Sequence, residues 1–271
     1  MIMDISPDIR NKENALTERI KAAGKLAVAF SGGVDSTYLL YKAHEVLGDN
    51  AVAVTVKSQV ITEDEFKWTS DFAGTIGAKQ IVLDFNVFDV TEFAANPPDR
   101  CYYCKRKIFS SIKEAAEGYV VADGSNVDDT GDYRPGMRAI KELGILSPLK
   151  ESGLTKSDIR ALSKEADLPT WDHPSAACLA SRFAYGETIT AEGLVLVAGA
   201  ERFIRSLGFE GIRVRVHGDI ARIEASPEDI PLLTYDRTRK EISEELKKLG
   251  FRYVTIDIDG YRVGSMNEVL K

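Results

Sequence analysis

The 271-residue chain is poor in the features that announce several protein classes. It has only three cysteines, an odd number, so a disulfide framework is excluded as its main support and a reducing, cytoplasmic compartment is expected. It has no run of about eighteen apolar residues and no basic segment leading into an apolar one, so neither a spanning helix nor a secretory signal is expected. Positive charge is in deficit: 35 Lys and Arg against 42 Asp and Glu leave a net charge of -7 and a pI near 5.2. That balance argues against a surface that grips nucleic acid broadly, and nucleic acid is not expected as a partner. Internal repeats are lacking, as are the G-x-x-x-x-G-K-[ST] and G-x-G-x-x-G phosphate fingerprints.

What is present is a strong strand and helix alternation. At 44% hydrophobic residues the chain can bury one large core or two unequal ones. Ile9, Leu16 and Ile20 recur at helical spacing, and LAVAF at 26–30 reads as a buried strand. AVAVTV at 51–56, QIVLDF at 80–85 and YVVAD at 119–123 repeat the strand pattern, separated by helical stretches. Near-continuous Val, Ile and Leu runs predict a parallel sheet covered by helices on both faces. A helix is expected over 155–166, capped by Thr155 or Ser157, then a connecting loop of small residues and prolines. Beyond it a helix over 191–207, two alternating strands around His217-Gly218-Asp219, a further helix through Ile242, Leu246 and Leu249, and a last strand predict a small α+β unit. The expected organisation is therefore an α/β domain at 1–170, a connecting loop at 171–190 and an α+β domain at 191–271.

Chemistry concentrates at four places. Ser31-Gly32-Gly33-Val34-Asp35-Ser36-Thr37 lies between a buried strand and a helix. There, glycines bring backbone N–H groups close to an anion and the helix N-terminus adds donors, which makes a phosphate cradle the favoured reading over a simple capped turn. The cluster Asp123, Asn126, Asp128, Asp129, continuing through Asp132, Tyr133 and Arg134, follows the strand at 119–123. It could orient substrate or a second Mg²⁺, or be an ordinary Asx-rich turn. Arg213 and Arg215 share one face of a strand with His217, either as an anion site or as a charged face balanced by Glu201 and Glu224. Cys101 and Cys104 form a C-x-x-C pair opening a helix, and Cys178 sits in the loop before the second unit. Spacing alone leaves structural thiols, a redox pair, a zinc site completed by His173, and a three-thiolate iron–sulfur cluster with one open iron.

SGGVDST resembles the PP-loop of ATP pyrophosphatases, whose members adenylate a carbonyl or carboxyl oxygen and release pyrophosphate. Taken in order with CYYCKRK, DGSNVDDTGDYRPG, ACLASRFAYG, IRVRVHGDIARIE and GFRYVTIDIDGYRVGSMNE, it makes almost the whole chain resemble the LarE family. These are ATP-dependent sulfur transferases that make the nickel-pincer cofactor of lactate racemase. The resemblance implies a PP-loop α/β domain followed by a small substrate-binding domain. It implies that Ser31, Gly32, Gly33, Asp35, Ser36 and Thr37 hold ATP, with Asp35 on Mg²⁺. It also implies that Arg213 and Arg215 receive the phosphate of pyridinium-3,5-biscarboxylic acid mononucleotide, with Lys105 and Arg182 as further anion contacts. Some family members sacrifice the sulfur of one cysteine, at the position of Cys178. The presence of Cys101 and Cys104 points instead to the branch in which all three thiolates hold a 4Fe-4S cluster that carries an extra sulfide. A sulfide source, hand-over to a nickel-inserting protein and homo-oligomeric assembly are the partners implied. The competing expectations are a cluster-dependent tRNA-thiolating enzyme and a zinc-braced nucleotide-binding module.

Overall fold

The computed structural model describes residues 5–130, 135–173, 177–262, 264, 265 and 267. Asp132, Tyr133 and Arg134 of the acidic motif, and Val263, Met266 and Glu268 of the terminal motif, lie outside the described residues. Contacts divide the chain into two units, Met1–Val87 with Cys101–Ala176, and Phe88–Arg100 with Ala177–Lys271.

The first unit contains α1 (Pro7–Ala23), β1 (Leu26–Ala29), α2 (Val34–Leu47), β2 (Ala51–Lys57), α3 (Glu63–Thr75), β3 (Lys79–Asp84), α4 (Arg100–Ala115), β4 (Val120–Ala122), α5 (Gly136–Glu142), α6 (Pro148–Glu151) and α7 (Lys156–Glu165). Its four strands are parallel in the order β3-β2-β1-β4. Strand alternation sorts the apolar side chains. Leu26, Val28, Ala51 and Ala53 join α1, α2 and α7 residues such as Leu16, Leu39 and Ile159 in one core, while Ala27, Val52 and Val54 join Phe109, Ile112 and Ile140 on the opposite face. β1 and β2, covered on both faces, carry no polar alternation, as the sequence pattern predicts, whereas the edge strand β3 is exposed or half-buried along its length.

Helix starts follow local chemistry. Ser6 caps α1 ahead of Pro7, and Thr62 with Glu65 and Thr155 with Asp158 form capping boxes at α3 and α7. Among the described residues no helix is long and apolar enough to cross a membrane.

The second unit contains α8 (Ala191–Ser206), β5 (Arg213–His217), β6 (Ile220–Glu224), α9 (Ile230–Leu233), α10 (Asp236–Leu249) and β7 (Tyr253–Ile256). β5 and β6 pair antiparallel and β7 joins β6 in parallel, giving a mixed three-stranded sheet. Val214, Ala221 and Ile223 pack from it against Ala200, Ile204, Ile242 and Leu246 of α8 and α10. The expected connector at 171–190 divides between the units, the part from Ala177 onward going with the second. Phe88–Arg100, which the sequence pattern grouped with the first domain, also goes with the second. Hydrogen bonds explain that placement. The buried Asn96 donates its side-chain amide to the carbonyl of Ala184 (2.7 Å) and accepts Gly186 N at its own carbonyl (2.9 Å), and Ile189 N donates to Ala94 O (2.9 Å).

One buried acid braces the first unit. Glu13 on α1 accepts from Tyr38 Oη (3.1 Å) and Lys42 Nζ (3.0 Å) on α2 and from Arg10. Burial alone would raise its pKa, but the hydrogen bonds and charges of Lys42 and Arg10 outweigh this and hold it below the usual carboxylate range. A depressed folded pKa contributes stability above the unfolded pKa that is lost as pH falls through the folded one. Glu13→Gln should therefore cost about 1–3 kcal/mol at neutral pH. In urea titrations the gap to wild type should shrink progressively in acid; a gap independent of pH would refute this account.

Candidate active site

β1 is the switch point of the first sheet, since β2 continues to one side and β4 lies on the other. Crevices beyond the carboxyl ends of such strands are where open parallel sheets bind ligands. The Ser31–Ser36 loop leaves β1 there, and residues 123–126 leave β4 beside it. Gly32 has φ +80°, and a Cβ on it would lie 3.0 Å from side-chain atoms of Trp68 and Thr69. Gly33 is the N-cap of α2 and supplies no side-chain cap, leaving the first-turn N–H groups without one. Ser36 Oγ donates to Gly33 O (3.1 Å) and accepts from Ser31 N (3.3 Å), which curls the loop around the helix start. Thr37 is fully buried, and its Oγ1 makes no hydrogen bond among the described residues. The loop is a backbone-lined concavity with a helix dipole behind it, suited to a polyphosphate.

Asp35 projects from the same turn and is held by two partners. Its Oδ2 pairs with Lys156 Nζ at 2.5 Å, and its Oδ1 accepts from Asn126 Nδ2 at 3.3 Å. Burial raises its pKa, the Lys156 charge and hydrogen bond partly offset that, and the charge of Asp129 adds to the rise. The acidic cluster divides by role. Asp123 accepts from Ser125 and from Ser147 Oγ (2.7 Å), Asp129 accepts Asn126 N (2.9 Å), and Asp128 accepts Lys156 N at the start of α7 (2.8 Å). These carboxylates shape the turn, and the Asn126 amide beside them reaches Asp35. Lys156 is the residue that sequence reading passed over. Its signal was the Thr155 cap, which fixes where α7 begins and hence where the next side chain points.

Cys101 and Cys104 stand one turn apart at the start of α4, exposed and half-buried respectively, two soft donors at a spacing that presents both to one side. Gly136 at the start of α5 packs closely on this turn; a Cβ there would meet the Lys105 side chain at 2.6 Å and Cys101 O at 3.4 Å. Cys178, exposed, belongs to the second unit. Among the described residues no group of three or more His, Cys, Asp or Glu that could hold a metal is found. His173 is held through its backbone, its carbonyl accepting from Arg160 Nη2 (2.6 Å).

Arg182, Arg213 and Arg215 of the second unit are buried, not spread on a solvent face. Arg182 is forked onto the fully buried Glu201, Nε to Oε1 at 2.8 Å and Nη2 to Oε2 at 3.1 Å. Arg215 donates Nε (3.0 Å) and Nη2 (2.7 Å) to Glu224 Oε2 and Nη1 to Ser181 O (2.6 Å). Arg213 points with Arg215 from β5, stacks 5.3 Å over Tyr261 and donates to Ile212 O. Burial, and next the charge of Arg182, push its pKa down, the sign of a cation in a crowded positive environment. Three guanidiniums are thus buried in this unit, two of them paired with the buried Glu201 and Glu224.

A parallel sheet with a non-Walker glycine loop at its switch point defines the PP-loop ATP pyrophosphatase class. Residues 13–112 match the asparagine synthase family, which carries that loop. An uncharacterised protein of Synechocystis sp. is 42% identical over 90% of this chain and 92% of its own length. The pyridinium-3,5-bisthiocarboxylic acid mononucleotide synthase of Lactiplantibacillus plantarum is 38% identical over 97% of this chain and 96% of its own. An uncharacterised protein of Methanocaldococcus jannaschii is 32% identical over 92% and 95%. The chain belongs to the LarE family of ATP-dependent sulfur-transferring enzymes.

Close packing at the switch point is directly testable. A Cβ on Gly124 would lie 3.0 Å from Ser36 N, so Gly124→Ala must push the β4 loop against the first turn of α2. Its ATP affinity should fall at least about tenfold, close to 1.4 kcal/mol, by calorimetry while the helix content by circular dichroism stays unchanged. Unaltered affinity would show that the nucleotide binds away from this loop.

Proposed function

We propose that this enzyme inserts sulfur into pyridinium-3,5-biscarboxylic acid mononucleotide, giving the bisthiocarboxylic acid precursor of the nickel-pincer cofactor. The observation that carries this reading is the end-to-end similarity to the L. plantarum synthase, together with the glycine loop folded at the sheet's switch point. ATP phosphates would rest on Ser31, Gly32, Gly33, Ser36 and the α2 N-terminus, with Thr37 behind them. Asp35 would hold Mg²⁺, a hard ion suited to carboxylate and phosphate oxygens, after exchanging its Lys156 partner for the metal. A substrate carboxylate oxygen attacks the α-phosphorus, pyrophosphate leaves, and an acyl adenylate forms. A sulfur nucleophile then adds to the acyl carbon and AMP departs with its bonding electrons. Backbone N–H groups and Lys156 would offset the negative charge that develops on the phosphates. Arg213 and Arg215 would take the substrate phosphate, with Lys105 beside the cysteine pair as a further anion contact.

The three cysteines separate two routes for the sulfur. In the reading we favour, Cys101, Cys104 and Cys178 are the protein ligands of a 4Fe-4S cluster, which when bound supplies a terminal sulfide. The C-x-x-C pair on one turn of α4 supports it, since a sacrificial single-cysteine donor needs no such pair. The sulfide source, the receiving nickel-inserting protein and homo-oligomeric assembly belong to this proposal.

Anaerobically prepared protein should contain iron and acid-labile sulfide but not stoichiometric zinc, and should exchange oxygen for sulfur in the mononucleotide repeatedly when given ATP, Mg²⁺ and sulfide. Cys101→Ala should lose the cluster absorbance and multiple turnover yet bind ATP within about twofold of wild type. Multiple turnover by that variant would remove the cluster from the mechanism, and a salt-sensitive shift of tRNA in gels would favour the tRNA-thiolating alternative.

A further inference from the structure

The turn that carries Cys178 is held from inside by arginines. Residues 177–184 fold as a short 3-10 segment, Leu179–Arg182, with flanking irregular backbone, an arrangement whose carbonyls cannot all be satisfied by one another. Arg182 Nη1 donates to Ala177 O (2.9 Å), to Cys178 O (3.3 Å) and to Ser181 Oγ (2.8 Å). Arg215 takes Ser181 O (2.6 Å), Arg100 takes Ala180 O (3.1 Å), and the Asn96 side chain takes Ala184 O (2.7 Å). Every one of these donors is at most 5% exposed. Cys178 itself is exposed, so a thiol open to reactants sits on a backbone fixed from beneath.

We infer that Arg182 is the positioning residue of Cys178, with its guanidinium locked by Glu201 so that one edge grips the carboxylate and the other grips the turn. The fork on Glu201 uses Nε and Nη2, which leaves Nη1 aimed at the loop. Glu201 is anchored in turn: its Oε1 also accepts Val214 N of β5 (3.0 Å) and its Oε2 accepts Arg205 Nη2 (2.9 Å). The chain of contacts therefore runs from strand β5 through Glu201 and Arg182 to the Cys178 carbonyl. A planar guanidinium can serve both edges at once, whereas an ammonium cannot span them. This assigns Arg182 to the donor loop and not to the substrate anion. A misplaced donor lowers the rate without weakening substrate binding, because correct positioning of reacting atoms acts on the chemical step. The catalytic consequence rests on the sulfur-transfer reading; the clamp does not.

The test compares Arg182→Lys and Glu201→Gln with wild type in the full chain. Hydrogen exchange, followed by mass spectrometry, should accelerate at least tenfold in peptides covering 177–183 while α2 and the strands β1 and β2 stay unchanged. In the sulfur-insertion assay both variants should lose at least tenfold in kcat, with KM for the mononucleotide within twofold. Unchanged exchange at 177–183 in the folded variants would overturn the clamp. A raised KM at unchanged kcat would make Arg182 an anion contact and overturn the assignment. Should either variant fail to fold, wild-type exchange decides: the amides of Ser181 and Phe183, which donate to Cys178 O and Ala180 O, must exchange at least a hundredfold more slowly than the free chain. Exchange at the free-chain rate would refute a held turn. If the exchange result holds and wild type makes no thiocarboxylate, the functional reading falls and the clamp stands.

Discussion

The parallel pairing of β1 with β2 on one side and β4 on the other is the constraint from which the first unit follows. It requires helical crossovers, which cover both faces, and it leaves a crevice where the strand order reverses. Two loops distant in sequence meet there, at 31–36 and 123–126. The meeting is close enough that Gly124 must lack a side chain, because the backbone of Ser36 occupies the space. Glycine at 124 thus answers to packing, while Gly32, at φ +80°, answers to backbone conformation as well.

Buried charge does the corresponding work in the second unit. Isolated, Arg182 or Arg215 would be costly to remove from water, and the buried Glu201 and Glu224 equally so. Paired and supplied with carbonyl acceptors, they become rigid struts. Such pairs add little net stability compared with a well-packed apolar core, but they hold directional groups in place, which packing alone does not. Arg213 differs from its neighbours in standing against the ring of Tyr261 with a lowered pKa.

Local patterns carried most of the secondary structure. The four apolar runs became β1 to β4, the Thr155 cap opened α7, and the His217-Gly218-Asp219 turn joined β5 to β6. The glycine loop was legible for the same reason, since its meaning depends on the strand before it and the helix after it. Phe88–Arg100 was not legible, because Asn96 and Arg100 bond to carbonyls 80 to 88 residues away and nothing in the local periodicity encodes that. Lys156 escaped notice likewise: its partner Asp35 lies 121 residues earlier.

By itself, then, the sequence determined the order of strands and helices, the glycine loop between β1 and α2, and the presence of three thiols that cannot all pair with one another. Hydrophobic periodicity and turn chemistry are local, so they can be read along the chain. Tertiary structure decided which charges are used up and by whom. Arg213 and Arg215 look alike as neighbours on a strand, yet one is locked to Glu224 while the other stacks on Tyr261. Arg182 reads as one more loop cation until Glu201 is seen beneath it. The reason is physical: the energy of a charge depends on its depth and its partners, and both are properties of the folded chain.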